Sequence, residues 1–209
     1  MTADLTLYTN PHSRGRIARW MLEEAGAAYD VVVLDYGTTM VASEYRAINP
    51  MTKVPAIVHQ GQVVTETAAI CAYLAEAFPD AELAPLPTEK AAYYRWLFFA
   101  AGPLEAATTN RAFGVTVTPE QQRMAGYGDF DRAVGVISDA VANSPYIAGD
   151  RFTAADVYVG SQMMWFTQFG LMPKTDAIMA YIGRLHDRPA HLRATALDDG
   201  QDEGESASG

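Results

Sequence analysis

Three short stretches of this sequence carry groups able to do chemistry. The first is Tyr8–Thr9–Asn10–Pro11–His12–Ser13–Arg14, a run of hydroxyl, amide, imidazole and guanidinium groups between an alternating segment and a helical one. It holds no cysteine, so the protein cannot carry out disulfide exchange there. Ser13 stands where the helical pattern begins and could act as an N-cap, although a capping box would want Glu or Gln at position 16, where Arg16 stands. The second stretch is Lys53–Val54–Pro55–Ala56–Ile57–Val58, a strand-like run with a proline in it. Proline has no amide hydrogen to give to a sheet, so it needs another role or an edge position. The third is Glu66–Thr67, at the head of a helical segment. A helix N-terminus presents free N–H groups and roughly half a unit of positive charge, which favours a carboxylate. Simple capping of that helix by Thr65 or Thr67, stabilising by about 1 kcal/mol, is compatible with that role.

The elements that must position these groups follow from periodicity. Leu5–Tyr8 alternates as a strand. Ile17, Trp20, Met21 and Ala25 fall at helical spacing from Ser13 onward, with Gly26 as the stop. Tyr29–Leu34 is a valine-rich strand, and Ser43–Ala47 a weak helical segment. Val54–His59 and Gln62–Val64 flank a Gln60–Gly61 hairpin turn, and Thr67–Phe78 is helical. The order β-α-β-(α)-β-β-α is that of a thioredoxin-like fold. In that fold a cis X–Pro bond at the head of the third strand turns the preceding residue's amide and carbonyl outward. A cis bond costs only about 0.5–1 kcal/mol before proline, against about 2.5–4 elsewhere. Val54 would then offer one rung of pairing to an extended peptide. PDAELAPLPT, residues 79 to 88, is proline-rich and aperiodic. Beyond it the pattern predicts helices over roughly 89–113, 119–142, 153–169 and 174–186. The chain therefore reads as an α/β thioredoxin-like domain (1–80), a linker (81–88), an all-α domain (89–197) and an acidic disordered tail (198–209). Thr153 with Asp156 forms a Thr-x-x-Asp helix start, with Phe152 and Val157 placed as a staple, and this reads as a folding device.

Composition narrows the field. Apolar residues make up 49% and charged residues 19% of 209, as in a soluble globular chain. The net charge is −10; the last twelve residues, DDGQDEGESASG, hold five acids and no base. An acidic body argues against nucleic acid as a partner. No apolar run reaches about 18 residues, so no membrane span is expected. The first residues show no secretory pattern, which makes the cytoplasm the default compartment. The single cysteine, Cys71, excludes an intramolecular disulfide and a Cys-based zinc cluster, and reads as a buried small hydrophobe. His186 and His191, with Pro189 between them, do not share a helical face, so no metal site is expected.

Taken in order, LTLYTNPHSRGRIARWMLEEAG, NPMTKVPAIV, TETAAICAYLAE and YIAGDRFTAADVYVGS resemble the cytosolic glutathione transferase family, over about residues 4 to 195. The first loop lacks cysteine, which sets aside the cysteine-type members, and the resemblance through Ser13 is to the bacterial serine-type members. It implies glutathione as co-substrate, no other cofactor, a hydrophobic small-molecule electrophile and a homodimer. Ser13 takes the position of the catalytic serine, whose hydroxyl hydrogen-bonds the glutathione sulfur; Tyr8 is the rival, and Asn10 or Arg14 could assist. Glu66 and Thr67 would hold the γ-glutamyl carboxylate, Val54–Pro55 the peptide backbone, Lys53 the glycyl carboxylate, and His12 would line the same site. Asn10, Arg111, Phe113 and Trp165 are the candidates for the electrophile pocket. A glutathione-dependent isomerase or ether-cleaving enzyme, or a non-enzymatic ligand- or protein-binding member of the same fold, are the alternatives.

Overall fold

A computed structural model of the protein describes residues 3–206, with side chains through 200. The chain divides into two compact units. One runs to Ala84 and is taken up again from Asp187; the other is Pro85–His186. The first break falls within 81–88. The second return differs from the expectation of a helical domain running to 197, because the last helix belongs with the first unit.

The first unit is built on four strands, β1 (Leu5–Thr9), β2 (Asp30–Val33), β3 (Ala56–His59) and β4 (Gln62–Thr65), in the order β2-β1-β3-β4. β1 and β2 are parallel, joined by α1 (Gly15–Ala25); β3 runs antiparallel to both β1 and β4. This is the thioredoxin-like arrangement. Leu5, Leu7 and Thr9 are buried while Thr6 and Tyr8 are half-buried, as a period-two strand requires. Gln60 (φ 50°) and Gly61 (φ 76°) make the β3–β4 turn, both left-handed as a two-residue hairpin favours. α1 ends at Gly26 in the left-handed conformation (φ 62°), whose N–H caps the Glu23 and Leu22 carbonyls. α2 (Ser43–Ile48) contributes Tyr45 to a buried cluster with Leu34, Met40 and Ala56. α3 (Thr67–Ala77) packs beside α1 and against β3 and β4.

The second unit is helical: α4 (Lys90–Phe99), α5 (Glu105–Ala112), α6 (Phe130–Asn143), α7 (Ala154–Gln168) and α8 (Asp176–His186). The single helix expected over 89–113 is split by a π-turn at Ala100–Leu104 that contains Pro103. Proline removes one helical N–H and crowds the preceding turn, and a wider turn absorbs both. The helix expected from 119 begins instead at Phe130. Gly128 is left-handed (φ 69°) and the Asp129 carboxylate accepts the Arg132 amide at 2.8 Å, so the N-terminus is set there. α7 is buried along most of its length and starts at the expected capping box of Thr153 and Asp156. Asp156 does more than cap. Its carboxylate accepts the Thr153 amide at 2.9 Å, the Ile147 amide at 2.7 Å and the Tyr181 hydroxyl at 2.8 Å, joining three segments of the unit.

The acidic end departs most from expectation. α9 (Pro189–Ser206) is helical through most of the stretch read as a disordered tail; 207–209 lie outside the described residues. Ala190, Ala194 and Asp198 are buried on successive turns, and α9 packs along α1. Asp198 Oδ1 meets Arg19 Nε at 2.7 Å with both side chains buried. Arg16–Asp199, Arg188–Glu24 and Arg193–Glu23 add three more pairs between α1 and the chain around α9. The anchor that apolar composition did not provide is electrostatic.

Candidate functional site

The sheet register gathers the candidate residues of the first unit. Ala56 lies opposite Tyr8 on one side and Thr65 on the other. Asn10 follows Tyr8 by two residues, Val54 precedes Ala56 by two, and Glu66 follows Thr65. The first loop, the Lys53–Pro55 segment and the head of α3 therefore share one end of the sheet.

Asn10 braces the first loop. Its amide donates to the Leu34 carbonyl at 2.9 Å, and its Oδ1 accepts the His12 N–H at 3.0 Å. Asn10 is buried and its polar groups are engaged with the protein, whereas His12 is exposed. Ser13 is also buried. Its hydroxyl donates to the Asn10 carbonyl at 2.6 Å and accepts the Gly15 N–H at 2.9 Å. The helix cap position itself is Arg14, in helical conformation and without a side-chain cap bond. Ser13 thus satisfies one of the free N–H groups of α1 from just outside the helix, and its proton points to a carbonyl that the Ser13 N–H also reaches at 3.1 Å.

Gly15 is required where it stands. A β-carbon there would lie 1.9 Å from Thr9 Oγ1 and 3.0 Å from Ser13 Oγ. Thr9 is wholly buried, and its hydroxyl has no hydrogen-bond partner. Tyr8, on the opposite strand face, packs its ring 5.7 Å from that of Tyr45 and belongs to the Leu34–Met40–Tyr45–Ala56 cluster.

The Val54–Pro55 peptide bond is cis. Among the described residues no hydrogen bond engages the Val54 amide or carbonyl. The residue before it is fixed: the Lys53 carbonyl accepts the Tyr45 hydroxyl at 2.5 Å and the Asn49 side-chain amide at 2.8 Å. Burial pushes the Tyr45 phenol up to about 12, so it remains a donor. The Lys53 side chain is exposed and meets no acid among the described residues.

Glu66 caps α3 with φ 67° and ψ 115°, a left-handed conformation unusual for a residue with a side chain. Its carboxylate is exposed and makes no cap bond; Thr67 is the first helical residue and is buried. The first-turn N–H groups of α3 are thus left without a side-chain cap, next to a backbone held in a sparsely populated region. Such strain concentrates at sites that hold ligands.

Sequence reasoning named Glu66 but missed its backbone conformation, and it missed two contributors here. Tyr45 and Asn49 lock Lys53, and only tertiary structure brings them to its carbonyl. The left-handed Glu66 carried no glycine or asparagine to mark it.

Arg111, Phe113 and Trp165 lie in the helical unit. Phe113 ends α5 and is 77% exposed, and Trp165 is half-buried with its ring 6.4 Å from that of Phe169. Arg111 borders a cavity to which neither aromatic contributes. Cys71 is buried, and burial pushes its thiol pKa far up, which makes it inert. Among the described residues no cluster of three or more His, Cys, Asp or Glu could hold a metal, and no helix is long and apolar enough to cross a membrane.

A thioredoxin-like domain followed by a helical unit is an architecture similar to that of solved glutathione transferases. Residues 3–76 match the family model described as Glutathione S-transferase, N-terminal domain. The Glutathione S-transferase GstA of Escherichia coli O157:H7 is 27% identical over 192 residues, 88% of this chain and 94% of the relative. Among solved structures, a glutathione transferase from Methylococcus capsulatus has a TM-score of 0.76 at 27% identity, covering 93% of this chain and 98% of its own. A theta class glutathione S-transferase from Xanthomonas axonopodis pv. citri, with glutathione bound, has a TM-score of 0.73 at 27% identity, covering 93% and 98%. Residues 3–76 thus match the N-terminal domain of glutathione S-transferases, and most of the chain is similar to proteins of that name.

Proposed function

We propose that the protein is a glutathione transferase that activates the thiol of glutathione for attack on a hydrophobic electrophile. The observation that carries this reading is the meeting, at one sheet end, of the unengaged Val54 backbone pair, the cationic Lys53 and the uncapped head of α3 at Glu66–Thr67. A γ-glutamyl tripeptide has the matching groups: a peptide backbone for Val54, one carboxylate for the α3 N-terminus and a second for Lys53. His12, exposed on the first loop, would border the same ligand. Phe113 and Trp165 are the proposed apolar contacts of the electrophile. A homodimer and a cytoplasmic location are part of the proposal.

Ser13 is the proposed catalytic residue, which would make the protein a serine-type member. A free thiol has a pKa near ~8.5 and is only a few per cent ionised at neutral pH. A hydrogen bond to a charged sulfur contributes about 1.5–3 kcal/mol, enough to lower that pKa by roughly 1–2 units. To supply it the Ser13 proton must rotate away from the Asn10 carbonyl, which keeps the Ser13 N–H as a partner. The Gly15 N–H at the head of α1 adds a smaller term of the same sign. Positioning the two reactants supplies the rest of the rate.

The test is Ser13→Ala. The expected result is a bound-thiol pKa raised by about 1–2 units and kcat/KM lowered about 10- to 100-fold, with glutathione affinity within a few fold of wild type. A variant that keeps the wild-type thiol pKa removes Ser13 from the chemistry. Wild-type protein that fails to bind glutathione removes the function.

A further inference from the structure

The helical unit contains a half-open cavity with no role in the reading above. Between the end of α5, the 115–127 connection and the start of α6 lies a cavity of about 350 Å³, at the small end of ligand-pocket sizes. We propose that this cavity binds a small monocarboxylate with an apolar body.

The chemistry comes from three side chains. The Arg111 guanidinium lies over the Phe130 ring, 5.0 Å from its centroid. That cation–π contact fixes the plane of the fork and leaves its edges free, and no carboxylate or carbonyl among the described residues hydrogen-bonds it. The fork is exposed and its donors are open to a ligand in exchange for water, and a planar fork suits a carboxylate better than any neutral group. The Tyr127 hydroxyl borders the same space and accepts the Asn110 amide at 2.8 Å, so its own hydrogen is available for a second donation. Ala107, Val117 and the Phe130 ring supply apolar wall.

Two acids also border the cavity, and they set the charge limit. Asp129 is committed to its own helix, accepting the Arg132 amide at 2.8 Å, and Asp131 is exposed on the first turn of α6. Neither pairs with Arg111. With one cation and two carboxylates around the opening, a single negative charge is accommodated at the Arg111 end and a second is repelled.

The proposal stands apart from the glutathione site and is tested by binding alone. Titration calorimetry on the full chain compares 3-phenylpropionate with its neutral isostere 3-phenylpropanamide. The acid is expected to bind about 10-fold or more tightly than the amide, the difference expected of a charge-assisted contact. Arg111→Met, which keeps a side chain on the Phe130 ring, should erase the difference, and Tyr127→Phe should reduce it. In the NMR spectrum the Val115 and Val117 methyl resonances should shift on titration. Equal binding of acid and amide, no binding of either at millimolar concentration, unchanged affinity in Arg111→Met, or shifts confined to residues outside the cavity would each overturn the proposal.

Discussion

The contact between Gly15 and Thr9 allows a prediction in which the cost of one substitution depends on its neighbour. A β-carbon on Gly15 would sit 1.9 Å from Thr9 Oγ1, more than 1 Å inside the 3.0 Å that real β-carbons keep. The obstructing atom belongs to a fully buried, β-branched side chain, so it cannot simply swing aside. Overpacking of this kind costs about 1–3 kcal/mol. Replacing a helical glycine by alanine gains roughly 0.5–1 kcal/mol when space allows. Gly15→Ala alone should therefore destabilise the chain by about 1–2 kcal/mol. Thr9→Ala removes a methyl, worth about 1 kcal/mol, but also removes a buried hydroxyl with no partner, whose desolvation costs a similar amount. It should be near neutral. In the Thr9→Ala background the β-carbon still meets Ser13 Oγ and the residue-9 Cβ at 3.0 Å, which offsets the helical gain, so Gly15→Ala should be near neutral there. Urea unfolding of the four proteins in the cycle measures this. A coupling below about 0.5 kcal/mol, with Gly15→Ala equally costly in both backgrounds, would refute the claim that Thr9 Oγ1 dictates glycine at the head of α1.

Two further outcomes concern buried carboxylates. Asp198→Asn removes the charge that balances the buried Arg19 and should destabilise by about 3–5 kcal/mol, while Arg19→Met with Asp198→Leu should cost much less; equal losses in a thermal melt would deny that the buried charge matters. Burial raises the Asp156 pKa from 3.8 to about 6 against the pull of its hydrogen-bond donors, so the folded state holds a proton that the unfolded chain has released. Its contribution to stability falls as pH rises from about 4 to about 6, by up to about 3 kcal/mol. Urea midpoints across that window should fall more steeply for wild type than for Asp156→Asn, and parallel curves would show that Asp156 is ionised throughout.

The order of elements in the first unit was legible because each is short and each has a period: Leu5, Leu7 and Thr9 on one strand face, Ile17, Trp20 and Met21 on one helix face. Pro55 was legible for a different reason. A residue that cannot serve a sheet ladder needs an explanation, and the cis bond that precedes it is one the sequence already suggested. The Thr153–Asp156 box was visible as a local pattern, but its partners Ile147 and Tyr181 come from other segments and were not. The start of α6 was misplaced because Gly128–Asp129, a stop followed by a cap, sits inside a stretch whose Gln and Arg content suits a helix.

α9 shows where composition misleads. A run of acids with little apolar content resembles solvated chain, and by area alone it buries too little to order itself. What reverses the outcome is α1, which carries Arg16 and Arg19, with Asp198 paired to a residue 179 positions away. The alanines at 190 and 194 matter because small side chains let α9 approach closely enough for Asp198 to reach Arg19 within the buried face. Neither half of that arrangement has meaning alone: Arg19 would be a costly buried cation, and Asp198 a costly buried anion. The acidic end is therefore ordered by the helix that begins at Gly15, two residues after Ser13, so the position of that head depends on a segment that local composition would discard.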